Sequence, residues 1–191
     1  MARRRGNEML KPNYRNVLRV LTFFLMLNTS TALANYKTTS GKIDFYAIGK
    51  PSMLKIHGIA NALEGTMNLL GDEISGKFIV KMNDFSSGLS LRDSHTRSKV
   101  FEVEKFPEAE FIMMPIKVSS GEKTNFKGLL KFHGVEKEIQ GELIPEFKGE
   151  KLSYHSNFNI MLADFKIQPP EFAGMKINEE VRIEVSGEAV K

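Results

Sequence analysis

Val181, Ile183 and Val185 alternate with Arg182, Glu184 and Ser186, and this beat of two recurs through most of the chain. Leu152, Tyr154, Phe158, Ile160 and Leu162 alternate with Ser153, His155, Asn157, Asn159 and Met161. Ile74, Phe78, Val80 and Met82 share a parity with Gly76, opposite Ser75, Lys77 and Lys81. Leu130 and Phe132 share one with Gly128 and Gly134. Successive side chains of a strand point to opposite faces, so this alternation specifies strands with one buried face. Further strands are expected over 41–48, 53–58, 62–69, 108–118 and 137–146, separated by turn signals at Gly71-Asp72, Ser119-Ser120-Gly121 and Lys148-Gly149. The total is roughly nine strands with little helix, which in one domain means a sandwich or a closed barrel. Gly65, Gly76, Gly128 and Gly141 lie on the apolar parity. They either let a barrel wall bend and leave interior volume, or mark bulges. Pro115, inside an expected strand, predicts an edge or a bulge.

The N-terminus follows another rule. Arg3, Arg4, Arg5, Lys11, Arg15 and Arg19 precede an apolar run from Val20 to Leu27, and Ala32-Leu33-Ala34 supplies a small-x-small cleavage signature. This is the layout of a secretory signal peptide, residues 1–34, with cleavage expected after Ala34. Met9 is an alternative start that keeps a positive segment ahead of the run. Eight apolar residues are too few to cross a hydrocarbon core of about 30 Å, so no stable transmembrane anchor is expected; the alternative is an uncleaved interfacial anchor.

Charge and cysteine content narrow the function classes. The formal net charge is +4, but residues 1–34 hold six of the 27 basic residues and one of the 23 acidic ones. The remaining 157 residues, 35–191, carry 21 against 22, a net of −1. That is no footprint for nucleic acid, which asks for a basic face. The chain has no cysteine, so an exported domain of this length must be stabilised by its core rather than by disulfides, which suits a bacterial periplasm. His57, His95, His133 and His155 show no HxH or HExxH spacing, so no metal is expected. GxSxG, P-loop and GxGxxG patterns are absent, and neither catalysis nor a cofactor is expected.

One stretch breaks the period of two. From Leu91 the chain reads LRDSHTRSKVFEVEKFPEAEF, with Phe101, Phe106 and Phe111 five residues apart. Asp93 is a good N-cap for about two helical turns over Ser94 to Val100, and Pro107 follows. The segment predicts a short helical crossover between the strands around 74–84 and 108–118. Adjacent Asp93, Ser94 and His95 point about 100° apart on a helix and cannot form a relay among themselves. They serve either as a capped rim, with Arg92 paired to a carboxylate and His95 to a backbone carbonyl, or as a head-group clamp beside an apolar cavity.

These residues resemble a known family. RDSHTRSKVFEVEKFPEAEF is similar to the signature of the YceI-like, polyisoprenoid-binding proteins at Arg92, Asp93, His95, Arg97, Ser98, Phe101, Pro107 and Phe111. GLLKFHGVEKEI matches a second motif at Gly128, Leu130, His133, Gly134, Val135 and Lys137, and ADFKI a third at Asp164 and Phe165. The departures are Thr96, Val100, Leu162 and Lys166; Leu162 replaces an arginine on an apolar face, which favours a neutral, fully apolar ligand. The resemblance implies an all-β, lipocalin-like extended antiparallel β-barrel of about eight strands with a short crossover helix over 35–191. It also implies a long-chain isoprenoid or other amphipathic lipid as partner, periplasmic residence and often a homodimer. Phe45, Leu54, Ile56, Phe78, Val80, Phe132, Phe158 and Ile160 are the expected tunnel lining. Arg92, Asp93, His95 and Asp164 are the expected mouth, in a head-group or structural role. The competing function is a stress-related exported protein, its barrel self-filled, that works through protein contacts.

Overall fold

The computed structural model describes residues 33–50, 55–172 and 174–191. Residues 1–32 of the expected leader and Leu54 lie outside the described residues, whereas its last two residues, Leu33 and Ala34, begin β1. Eleven strands form: β1 (Leu33–Lys50), β2 (Lys55–Ala60), β3 (Leu63–Leu70), β4 (Glu73–Lys81), β5 (Glu108–Lys117), β6 (Thr124–Phe132), β7 (Val135–Lys148), β8 (Lys151–Met161), β9 (Glu171–Phe172), β10 (Met175–Ile177) and β11 (Glu180–Val190). Eight of them, in the order β1-β3-β4-β5-β6-β7-β8-β11, close into a ring when β11 pairs back onto β1. All these pairings are antiparallel. Closure removes the exposed edges that an open sheet would offer to other chains. The lipocalin-like barrel expected from the sequence is therefore present.

β1 is longer than its alternation announces. Leu33 to Lys37 pair with β3, and Ile43 to Ile48 pair with β2, so one long strand serves two partners on one side. Its end carries a small flap, because Gly49 and Lys50 pair with β10, which pairs with β9. Pro115 sits where the β4–β5 register slips: Ile74 faces Ile116 but Gly76 faces Met113, a bulge in β5. Proline is tolerated there because the ladder is already broken.

The core is the lumen. Inward residues of β8 run Leu152, Tyr154, Ser156, Phe158, Ile160, and those of β11 run Val181, Ile183, Val185. Two interior glycines act as ring seats. A Cβ at Gly128 would overlap the Phe111 ring, and one at Gly141 would sit 2.7 Å from the Phe126 ring and from the Phe158 Cβ, and closer still to the Asn157 carbonyl oxygen. The rings use the room that the missing side chains leave, so these glycines widen aromatic packing rather than hold empty space. Fully burying Phe126 contributes about 1.5–3 kcal/mol relative to leaving it exposed, and the partly buried Phe111 and Phe158 contribute less. One end of the barrel is plugged by Tyr36, Met67, Ile74, Leu152 and Ala189, all almost fully buried. Tyr36 and Phe147 meet there in a tilted pair with centroids 6.1 Å apart.

The crossover from β4 to β5 lies at the other end. It comprises a 3₁₀ turn (Met82–Asp84), a short helix α1 (Ser90–His95) and a π turn (Thr96–Val100). The helix thus begins earlier than expected, and Asp93 is not its N-cap; Leu89 holds that position with no side-chain cap. The reason is a stronger set of donors upstream. The Asp93 carboxylate accepts the Ser87 N–H at 2.7 Å, the Ser87 hydroxyl, and the Ser86 hydroxyl at 3.1 Å.

Candidate functional site

The lumen holds two chambers. The inner one, about 110 Å³, lies in the barrel body and is walled by Met67, Phe78, Val80, Phe111, Met113, Phe126, Leu143 and Phe158, among others. The outer one, also about 110 Å³, lies under the crossover and is walled by Ile56, Phe85, Arg92, His95, Thr96, Phe101, Leu162, Pro170 and Ile177, among others. Phe45, Phe132 and Ile160 line both and form the neck between them. Phe45, Phe85, Phe101 and Phe132 make a chain of edge-to-face contacts across the outer chamber, at 5.6, 5.2 and 5.8 Å. Such geometry adds to the stabilisation from area burial alone.

The tunnel residues named from sequence fall as follows. Phe45, Phe78, Val80, Phe132, Phe158 and Ile160 line the inner chamber, and Ile56 the outer one. Leu54 lies outside the described residues. Leu162, the family arginine position, is buried in the outer chamber wall, so this wall is apolar where a charge was expected in relatives. Leu162 itself opens a 3₁₀ turn after β8 rather than ending the strand.

The four mouth residues separate. Arg92 and His95 line the outer chamber. Among the described residues Arg92 pairs with no carboxylate; its Nε donates to Ser87 Oγ at 2.6 Å and a second nitrogen to the Ser87 carbonyl at 2.8 Å. His95 is exposed, without the expected carbonyl partner among the described residues. Asp93 is 5 % exposed and sits behind the helix, holding the preceding loop instead of facing the lumen. Burial pushes its carboxyl up, but the Ser87 and Ser86 hydrogen bonds and the nearby Arg97 charge outweigh this and hold it below the usual range. Asp164 is exposed, 3.9 Å from Lys137, and lines neither chamber.

Two polar features were not anticipated from the sequence. His133 sits in the β6–β7 turn at φ 49°. Its Nδ1 lies 3.0 Å from the Phe165 carbonyl oxygen and its Nε2 lies 3.1 Å from Glu102, with Phe106 packed on the ring at 4.5 Å. It ties the crossover to the turn after β8. A lysine hydrogen bond from Lys105 holds the Glu102 carboxyl below its ordinary value against a smaller opposing effect of burial, and His133 adds to it. The second feature is Ser156, a serine on the inward row of β8 that lines the inner chamber. The β8 alternation places it inward, but a hydroxyl interrupts the apolar pattern and hides it. Among the described residues, no three His, Asp or Glu side chains converge as a metal site. No helix among them is long and apolar enough to cross a membrane.

The barrel closes around an apolar, two-chambered lumen, plugged at one end and bearing Arg92 and His95 at the other, the architecture of a barrel with an interior cavity. The family model described as "YceI-like domain" matches residues 29–189, and the chain belongs to that family. A UPF0312 protein of Pseudomonas fluorescens is 33 % identical over 113 residues, 55 % of this chain and 58 % of that protein. The chain thus matches little more than half the length of that relative. A second, from Pseudomonas savastanoi, is 30 % identical over 140 residues, 68 % of this chain and 72 % of that protein. Two solved structures share the fold at 17 % identity. Burkholderia cenocepacia BcnA has a TM-score of 0.66, covering 78 % of this chain and 96 % of its own. A polyisoprenoid-binding domain from Saccharophagus degradans, implicated in plant cell wall breakdown, has 0.64, covering 83 % and 99 %.

Proposed function

We propose that this chain is an exported, non-enzymatic binding protein that carries or stores a long isoprenoid or similar amphipathic lipid in its lumen. The observation that carries this is the polarity of the barrel: almost wholly apolar chambers end blindly at the Tyr36–Leu152 plug, and Arg92 and His95 stand at the opposite end. A chain would thread from that mouth, its polar end left beside the crossover. Each methylene buried contributes about 0.8 kcal/mol before the cost of ordering the chain. Membership in a family with a polyisoprenoid-binding relative supports the ligand class. The leader-like N-terminus supports a periplasmic location, with cleavage after Ala34.

The chambers are small. An apolar cavity of about 150 Å³ takes a benzene-sized guest, so a long chain must turn Phe45 and Phe132 aside at the neck. That same observation favours the competing reading, a barrel filled by its own rings that works through protein contacts. The test is retention of a long-chain polyprenol by the mature chain and by Phe158→Glu and Phe132→Trp variants. Binding should be lost in the first and reduced at least tenfold in the second, with β-sheet circular dichroism preserved in the second. Unchanged retention in a folded Phe132→Trp variant would contradict the neck, and no retention by the parent protein would favour the filled barrel. Sedimentation of the same samples checks the homodimer that family resemblance implies.

A further inference from the structure

Ser156 is 8 % exposed, and its side chain has no hydrogen-bond partner among the described residues. Its strand neighbours in register are Leu143 and Val185, both inner-chamber wall. Yet no side-chain polar atom in the described structure is both sealed from free space and unpartnered. The Ser156 hydroxyl therefore faces the inner chamber itself. A hydroxyl in an apolar wall costs stability unless something bonds it. The next inward residue of β8, Tyr154, also lines this chamber, and its hydroxyl makes only a long 3.4 Å contact to Thr38. Burial pushes the Tyr154 phenol up, so that hydroxyl stays neutral. Ser156 lies four residues beyond the neck residue Ile160, about 13 Å along the strand.

From this geometry we infer that the inner chamber is a second, deep polar subsite, in which Ser156 hydrogen-bonds a neutral oxygen- or nitrogen-bearing group of the ligand. The inference rests on the lipid-binding reading and adds ligand chemistry to it. A hydroxyl can both donate and accept, so alcohols, carbonyls and amides fit. A carboxylate or phosphate does not, because the chamber supplies no cation to pair with it. The preferred ligand then carries a neutral polar group at the end that enters first, or along its chain, and is not a plain hydrocarbon tail there.

The experiment compares 1-hexadecanol with hexadecane as competitors for a fluorescent fatty probe, on the parent chain and on Ser156→Ala, Ser156→Thr and Arg92→Ala. Ser156→Ala should weaken the alcohol by roughly 3- to 10-fold and leave the alkane unchanged or tighter. Ser156→Thr should keep alcohol binding, and the urea midpoint of the ligand-free Ser156→Ala chain should be unchanged or raised. Alcohol binding that ignores Ser156→Ala but falls in Arg92→Ala would overturn the deep subsite and leave the mouth as the only polar contact. Equal losses for alcohol and alkane would also overturn it, since they would report packing. Binding of neither competitor nor the probe to the parent chain would overturn the lipid-binding reading itself, and the subsite with it.

Discussion

Asp93 shows how one side chain decides a local structure. It accepts three hydrogen bonds from Ser86 and Ser87 while almost fully buried. Replacing it by alanine leaves those donors unpaired and should lower stability by about 2 kcal/mol, seen as a lower urea midpoint. Its folded carboxyl is held below its usual value of 3.8, so its contribution is present above that value. It is lost as pH falls through the lower folded value, because protonation then costs the folded state more than the unfolded one. Asp93→Asn should flatten this acid limb in a pH series of urea midpoints; an unchanged slope would contradict the assignment. Gly128 carries a second prediction at this scale. Gly128→Ala drives a methyl into the Phe111 ring and the Ile112 carbonyl and should cost about 1–3 kcal/mol in thermal or urea unfolding. The sequence places Asp93 at a helix start, which it is near, but not as the cap. Capping rules look a few residues ahead, and the donors that claim Asp93 lie six and seven residues behind.

At the scale of elements, legibility follows the strength of the alternation. β4, β8 and β11 are readable because most alternate residues are large and apolar, with Gly76 and Ser156 as interruptions, and one face must be buried. The first half of β1 is not, since between Leu33 and Gly41 its single deeply buried apolar side chain is Tyr36. That stretch is a strand because β3 pairs with Leu33 to Lys37 and β11 with Lys37 onward, a tertiary cause with no local signature. β9 and β10 are too short to show any period. The crossover is pinned at several places: internally by Asp93 on Ser87 and Arg97 on the Phe85 carbonyl at 3.0 Å, and to the barrel by the Ile59–Ser86 backbone pair and by His133 on Glu102. Removing one pin should loosen the segment without unfolding the barrel. His133→Ala should raise amide hydrogen exchange across residues 82–106 while β8 and β11 keep their protection. Uniform acceleration everywhere would show that the histidine stabilises the whole barrel instead.

For the whole molecule, the family motifs make the barrel readable before any coordinates, because they fix the order of strands around one crossover. The candidate lumen is readable by parity, and six of the eight named lining residues do wall the inner chamber. The mouth is less readable. Arg92 and His95 face the outer chamber, whereas Asp93 turns to its loop and Asp164 to solvent beside Lys137. Sequence spacing places a residue on a turn, but the packing of that turn decides which way the residue faces. Ser156 is the converse case, inward by parity and overlooked because it is polar. The proposed function requires a lumen that takes a lipid. The most direct measurement is native mass spectrometry of the mature chain purified from a periplasmic fraction, followed by solvent extraction. A discrete added mass that extracts as a long-chain isoprenoid or neutral amphiphile is expected. A bare chain mass, unchanged after incubation with such lipids, would contradict it.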